Sequence, residues 1–136
     1  MLFRSRSAAA VLAWNKARTA AAERYSELLA EVAGITLPAT MPGNTHAWHL
    51  YVVRFAEGPI RRDAVLAALH AAGVGAGIHY PVPVHLQGAF TGLGYRRGDF
   101  PVAEKAAESM LSLPLFPHLS EEQIDHVVGV VASASA

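Results

Sequence analysis

Apolar residues recur at helical spacing in four stretches of the chain. Leu12, Ala21 or Ala22, Tyr25, Leu28, Leu29 and Val32 form one stripe in a segment rich in alanine, glutamate and arginine. They predict a helix over 7–32, with Gly34 as its stop. Val65, Leu66, Leu69 and Ala72 predict a second helix over 61–72, entered through Pro59 and ended by Gly73. Val102, Ala106 and Met110, at i, i+4 and i+8 behind Asp99, predict a short helix over 101–110. The clearest pattern lies over 120–131. Ser120 and Gln123 have capping-box spacing, Glu121 and Glu122 suit the positive end of a helix dipole, and Ile124, Val127, Val128 and Val131 share a face.

Shorter apolar runs lie between these helices. Over 49–55, Leu50, Val52 and Phe55 stand against Tyr51 and Val53, which predicts a strand covered on both faces. A second strand, lightened by glycine, is expected over 74–80 and a third over 111–115. Residues 35–45 read as turn, with Pro38, Pro42, Gly43 and Asn44. Residues 81–98 show no regular element, and an ordered segment of that length in a compact domain is usually functional. The order predicts an α+β class, a small, mostly antiparallel three-stranded sheet covered by helices. Residues 1–34 are expected to form a linking helix and residues 35–136 a small α+β domain.

A chain of 136 residues suffices for one domain with a modest core. With 52% hydrophobic and 16% charged residues it is globular in composition. Eleven basic and eleven acidic residues cancel, so nothing marks an electrostatic footprint for nucleic acid. Cysteine is absent, which excludes a disulfide scaffold and a cysteine zinc site and fits a reducing compartment. The uncharged run 73–95 is broken by proline and glycine and cannot be a membrane span. Val11, Leu12 and Trp14 are followed at once by Asn15 and Lys16, unlike the apolar region of a signal peptide. A cytoplasmic protein without membrane contact is therefore expected. Nine of the basic residues are arginine, and the only lysines are Lys16 and Lys105.

Histidines are the first candidates for chemistry. His46 and His49 are three apart and His79 and His85 six apart, but zinc needs three or four converging ligands. Glu57 and Asp99, the nearest carboxylates, stand at no metal-motif spacing, so no metal site is expected. Gly73-Val74-Gly75-Ala76-Gly77 follows a helix and leads into a strand, the reverse of a phosphate loop, and reads as a helix cap and a close-packed strand. No G-x-S-x-G occurs, and Ser109 and Ser112, near a helix end, read as structural. The strongest local signal is His79-Tyr80-Pro81-Val82-Pro83-Val84-His85-Leu86-Gln87. Its two prolines stiffen an extended path that carries two imidazoles, a phenol and an amide. The residues alone leave open whether this is a ligand loop or a proline-braced connection with solvated histidines.

Further motifs stand in order along the chain. They are Trp48-His49-Leu50-Tyr51-Val52-Val53-Arg54, Arg62-Asp63, Gly73-Val74, the 79–87 run, Leu93-Gly94-Tyr95, Gly98-Asp99-Phe100-Pro101-Val102-Ala103-Glu104, Leu111-Ser112-Leu113-Pro114-Leu115-Phe116-Pro117 and Glu122-Gln123-Ile124. Their order and spacing resemble the C-terminal region of the DegT/DnrJ/EryC1/StrS sugar aminotransferases from about Ala13 to Val131, with a poor match before it.

The resemblance implies the C-terminal small domain of a fold-type-I aminotransferase. Such enzymes hold pyridoxal phosphate as a Schiff base on a lysine and move an amino group, usually from glutamate, to a nucleotide-linked keto sugar. They serve deoxyamino-sugar, polysaccharide or antibiotic-sugar biosynthesis as homodimers with shared active sites. It also implies that His79, Tyr80 and Pro81, with His85 close by, bind the nucleotide sugar. The cofactor lysine, the aspartate for the pyridine nitrogen and the phosphate turn of the large domain are not recognisable, and neither Lys16 nor Lys105 has the Schiff-base surroundings. The chain is therefore expected to be a truncated product that does not transaminate or bind the cofactor covalently by itself, with apolar surface exposed near Leu12 and Trp14. A stand-alone α+β ligand-binding or regulatory module, or a structural remnant that pairs with a longer partner, is the alternative expectation.

Overall fold

The computed structural model describes residues 3–135. The first helix, α1 (Phe3–Leu29), turns Ala21, Ala22, Tyr25 and Leu29 into the core at steps of three and four residues. Val11, Leu12 and Trp14, two to three turns earlier, stay exposed; Leu12 and Trp14 form the apolar surface expected there, and Leu12 does not join the buried stripe in which its spacing placed it. The helix stops at Leu29, before the expected end. Gly34, at φ +77, then redirects the chain, and its carbonyl accepts the Ala56 N–H at 2.9 Å.

Three antiparallel strands follow in the order β1 (Ile35–Thr36), β2 (Tyr51–Phe55) and β3 (Met110–Leu113), with β2 central. Ile35 stands opposite Phe55, and Tyr51, Val52, Val53 and Arg54 oppose Leu113, Ser112, Leu111 and Met110. The class matches the sequence expectation, but one strand differs. Residues 74–80 form no strand. They make one antiparallel bridge, Gly77 to Ser112, with N–H···O distances of 3.1 and 2.8 Å. Gly75 and Gly77, two of the first four residues of this segment, leave too few side chains to hold a ladder. The third strand comes instead from Ile35 and Thr36, in the segment read as turn. Strict alternation also corrects the face assignment: Phe55 lies on the buried side with Tyr51 and Val53, while Leu50 and Val52 on the other side are half-buried.

Helix α2 (Pro59–Ala71) begins with proline at its first position and ends in a Schellman motif. Gly73, at φ +75, donates to His70 O, and Val74 N–H reaches Leu69 O, with Val74 and Leu69 both buried. Helix α3 (Pro101–Ser109) starts on another proline. Helix α4 (Glu121–Ala134) opens on the expected capping box. Ser120 Oγ accepts from Gln123 N–H at 3.2 Å, and Gln123 Oε1 accepts from Ser120 N–H at 3.0 Å. Ile124, Val127, Val128 and Val131 face inward as their spacing predicts, and α4 packs against α1 and α2.

The centre of the core is Tyr25, Tyr51, Phe55, Leu69, Leu111 and Val131. Its two phenols are satisfied: Tyr25 Oη donates to Pro114 O at 3.1 Å, and Tyr51 Oη lies 2.9 Å from Ser26 Oγ. Among the described residues no helix is long and apolar enough to cross a membrane.

Candidate functional site

The Gly77–Ser112 bridge anchors the chain two residues before His79, so the loop leaves from a fixed point beside β3. His79 Nδ1 lies 3.0 Å from Ser112 Oγ. Its ring lies close over Gly77, where a Cβ would stand 3.2 Å from His79 Cε1. The imidazole meets the Tyr80 ring edge-on at 5.8 Å, and the peptide bond between the two is cis. Tyr80 is 64% exposed.

Beyond Pro81 and Pro83 the chain makes two 3-10 turns, Val84–Leu86 and Gly88–Leu93, in a segment where the sequence showed no regular element. Gln87 Nε2 donates to Val82 O at 3.1 Å and ties the first turn back to the proline segment.

This loop and α3 enclose a cavity of about 590 Å³. His79, Tyr80 and His85 line it together with Phe90, Tyr95 and Phe100. Pro81 is not among the lining residues; Val82 and Pro83 are. The structure therefore brings three of the four residues expected in substrate binding to one cavity and leaves Pro81, which is exposed, outside its lining. His85 turns inward. Its Nε2 lies 3.0 Å from Glu104 Oε1, both side chains are 9% exposed, and its ring meets Phe100 at 4.8 Å and Tyr95 at 6.5 Å.

Glu104, on α3, ends the motif 98–104, and nothing in its spacing marks it as part of a site. Its carboxylate accepts Gly98 N–H at 2.8 and 3.0 Å and Phe100 N–H at 3.4 Å. Burial alone would raise the Glu104 pKa. The Gly98 amide, the His85 hydrogen bond, the Phe100 amide and the His85 charge outweigh it and hold the carboxyl below its ordinary value. Glu104 thus fixes the 94–100 turn and the Tyr95 and Phe100 rings as one wall. Asp99, expected at the start of α3, instead accepts Arg96 N–H at 2.8 Å within that turn. Ser112, read as structural, is the other missed contact, 33 residues from His79 and outside any local pattern.

His46 and His49 lie away from the cavity. His46 stacks on Trp48 at 4.0 Å and accepts its backbone N–H at 2.8 Å.

Pyridoxal phosphate, implied by the resemblance, needs an activated amine and a phosphate cradle. Lys16 and Lys105 are exposed on α1 and α3, and neither lines the cavity, whose polar side chains are His79, Tyr80, His85 and Tyr95. These residues do not fit as its covalent seat. What they offer is a few hydrogen-bonding groups in an otherwise apolar pocket, the usual make-up of a small-molecule site.

Known proteins share this architecture. The chain is 47% identical over 122 residues to the erythromycin biosynthesis sensory transduction protein EryC1 of Saccharopolyspora erythraea, covering 90% of this chain and 32% of that protein. It is 42% identical to the dTDP-3-amino-3,4,6-trideoxy-alpha-D-glucose transaminase of Streptomyces venezuelae, covering 87% and 30%. Among solved structures, S. venezuelae DesV in complex with a ketimine intermediate superposes with a TM-score of 0.83 at 41% identity, over 90% of this chain and 32% of that one. The chain thus spans about a third of the length of these relatives. The match to the family model runs over residues 7–132, a little beyond the resemblance read from about Ala13 to Val131, and on that extent the chain belongs to the DegT/DnrJ/EryC1/StrS aminotransferase family.

Proposed function

We propose that this chain is the C-terminal, substrate-facing portion of a cytoplasmic, homodimeric aminotransferase that uses pyridoxal phosphate to move an amino group from glutamate to a nucleotide-linked keto sugar. One observation carries the proposal: His79 and Tyr80 stand as a polar pair on a cavity otherwise lined mainly by apolar and aromatic side chains, in a chain similar to a dTDP-sugar transaminase.

The chemistry of the site fits such a ligand. A nucleotide sugar carries a diphosphate and hydroxyls, which accept hydrogen bonds, and an imidazole and a phenol supply donors. Pro81 and Pro83 fix the direction of the segment that presents them. His85, engaged by Glu104 through Nε2, supports the cavity wall and leaves Nδ1 as its other polar atom. The cofactor supplies the electron sink for the amino transfer; this chain's residues bind and orient the sugar and keep water from one side of it.

The test is a transaminase assay of the protein that carries this chain, with glutamate and a dTDP- or UDP-linked keto sugar. His79→Ala and Tyr80→Phe should each raise the sugar KM or lower kcat/KM, while the half-reaction with glutamate stays intact. Wild-type sugar kinetics in both variants would make the loop a brace and not a site.

A further inference from the structure

We propose that Ser112 is a positioning residue that holds neutral His79 in the tautomer with its proton on Nε2, so that the ring presents a hydrogen-bond donor to the cavity. The inference deepens the reading of His79 as a substrate-facing residue and rests on it for its functional meaning.

Three features converge on this pair. Ser112 is 3% exposed, on β3, and His79 Nδ1 at 3.0 Å is the only partner of its side-chain oxygen among the described residues. A buried hydroxyl without other acceptors directs its single proton to the one within reach. With the proton on Nδ1 the ring would donate to Oγ and leave the buried Oγ–H without an acceptor; with Nδ1 bare, Oγ–H donates to it and both groups are satisfied, which favours the ring proton on Nε2.

The backbone enforces the same arrangement. Gly77 and Ser112 exchange both hydrogen bonds of the bridge, so the strand that carries the hydroxyl and the segment that carries the imidazole cannot slide past one another. Gly77 lacks the Cβ that would crowd His79 Cε1 at 3.2 Å, so the ring can lie flat enough to reach the hydroxyl.

The chemical consequence is selective. With Nδ1 committed to Ser112, only Nε2 is left to meet a ligand, and it offers N–H. The matching ligand atom is an acceptor oxygen of a phosphate, hydroxyl or carbonyl group. A hydroxyl is also an acceptor, so if the ring gains a proton Ser112 turns to accept Nδ1–H and the ring keeps its orientation. A carboxylate at this position would favour the cation, and a backbone carbonyl would fix the opposite tautomer. Serine supports the donor at Nε2 in both protonation states.

The experiment is long-range proton–nitrogen NMR on the uniformly labelled 136-residue chain, at a pH where the imidazole is neutral. The His79 signals are assigned by their loss in His79→Gln. The expected wild-type pattern has Nε2 protonated and Nδ1 bare. Ser112→Ala, which removes one oxygen, should collapse it to the averaged pattern of a ring exchanging between tautomers, with the backbone amide spectrum otherwise retained. Gly77→Ala should have the same effect by pushing the ring off a hydroxyl that is still present. An Nδ1–H tautomer in the wild type, or an unchanged ring pattern in Ser112→Ala, would overturn the proposal. Failure of the substrate reading looks different: His79→Ala would leave the sugar KM untouched while the tautomer pattern stood.

Discussion

Replacing Gly73 with alanine is expected to destabilise the fold, and replacing Gly75 is not, although both positions have open space around a would-be Cβ. No atom lies within 4 Å of a Cβ built at either residue. Steric crowding therefore cannot separate them, and only backbone conformation does. Gly73 sits at φ +75 in the Schellman turn that ends α2, while Gly75 lies outside the left-handed region. Alanine in the left-handed region costs about 1–2 kcal/mol. Each substitution also stiffens the unfolded chain, which favours the folded state by about 0.4–1 kcal/mol. That contribution is common to both variants and cancels in their difference. The result expected is a net loss of about 1 kcal/mol for Gly73→Ala and no loss or a slight gain for Gly75→Ala, from the same two principles. Urea unfolding checks it directly. With a slope of about 2 kcal/mol/M, the midpoints of the two variants should lie about 0.5–1 M apart at an unchanged slope. Coincident midpoints, or a lower midpoint for Gly75→Ala, would refute the assignment of Gly73 as the residue whose conformation ends α2.

Burial raises the pKa of Tyr25, an effect that the neighbouring Tyr51 adds to, and burial raises that of Tyr51 against the hydrogen bond from Ser26. A phenol that ionises more readily in the unfolded chain contributes stability that is full below the ordinary value of about 10 and is lost as pH rises above it. Absorbance titration should therefore show these two tyrosines ionising together with alkaline unfolding, and Tyr25→Phe should remove part of that coupling; free ionisation of both in the folded chain would contradict their burial. Glu104 behaves in the opposite sense. Its lowered folded pKa means that its grip on Gly98 and Phe100 is complete above the ordinary carboxyl value of about 4.3 and fails as pH falls through the lower folded value. The downfield Gly98 amide proton should hold its position to below that pH, and its collapse at higher pH would refute the clamp. Finally, pyridoxal phosphate added to the purified chain should give no one-to-one Schiff-base absorbance, because both lysines are exposed and neither borders the cavity; stoichiometric absorbance would show that one of them is activated.

Local chemistry makes much of this protein legible in its sequence. Pro59, Gly73 and the Ser120–Gln123 box act within a few residues of themselves, so α2 and α4 could be read with their ends nearly in place. The inward stripe of α4 and the run 79–87 were equally local, and the ordered motifs sufficed for the family. Tertiary structure decided what depends on distant partners. Ile35 and Thr36 are too few to show an alternation, and they become a strand only because Arg54 and Phe55 lie alongside. Residues 74–80 looked extended and apolar enough for a strand, yet a glycine-rich segment offers its neighbour little beyond one bridge. Glu104 reads as one more helix carboxylate until the fold sets it against His85, 19 residues away, and two backbone amides. Ser112 acquires its link to His79 in the same way. Hydrogen bonds between residues so far apart leave no periodic trace in a sequence, because spacing records only neighbours along the chain, and the contacts that hold His79 and His85 are made across it.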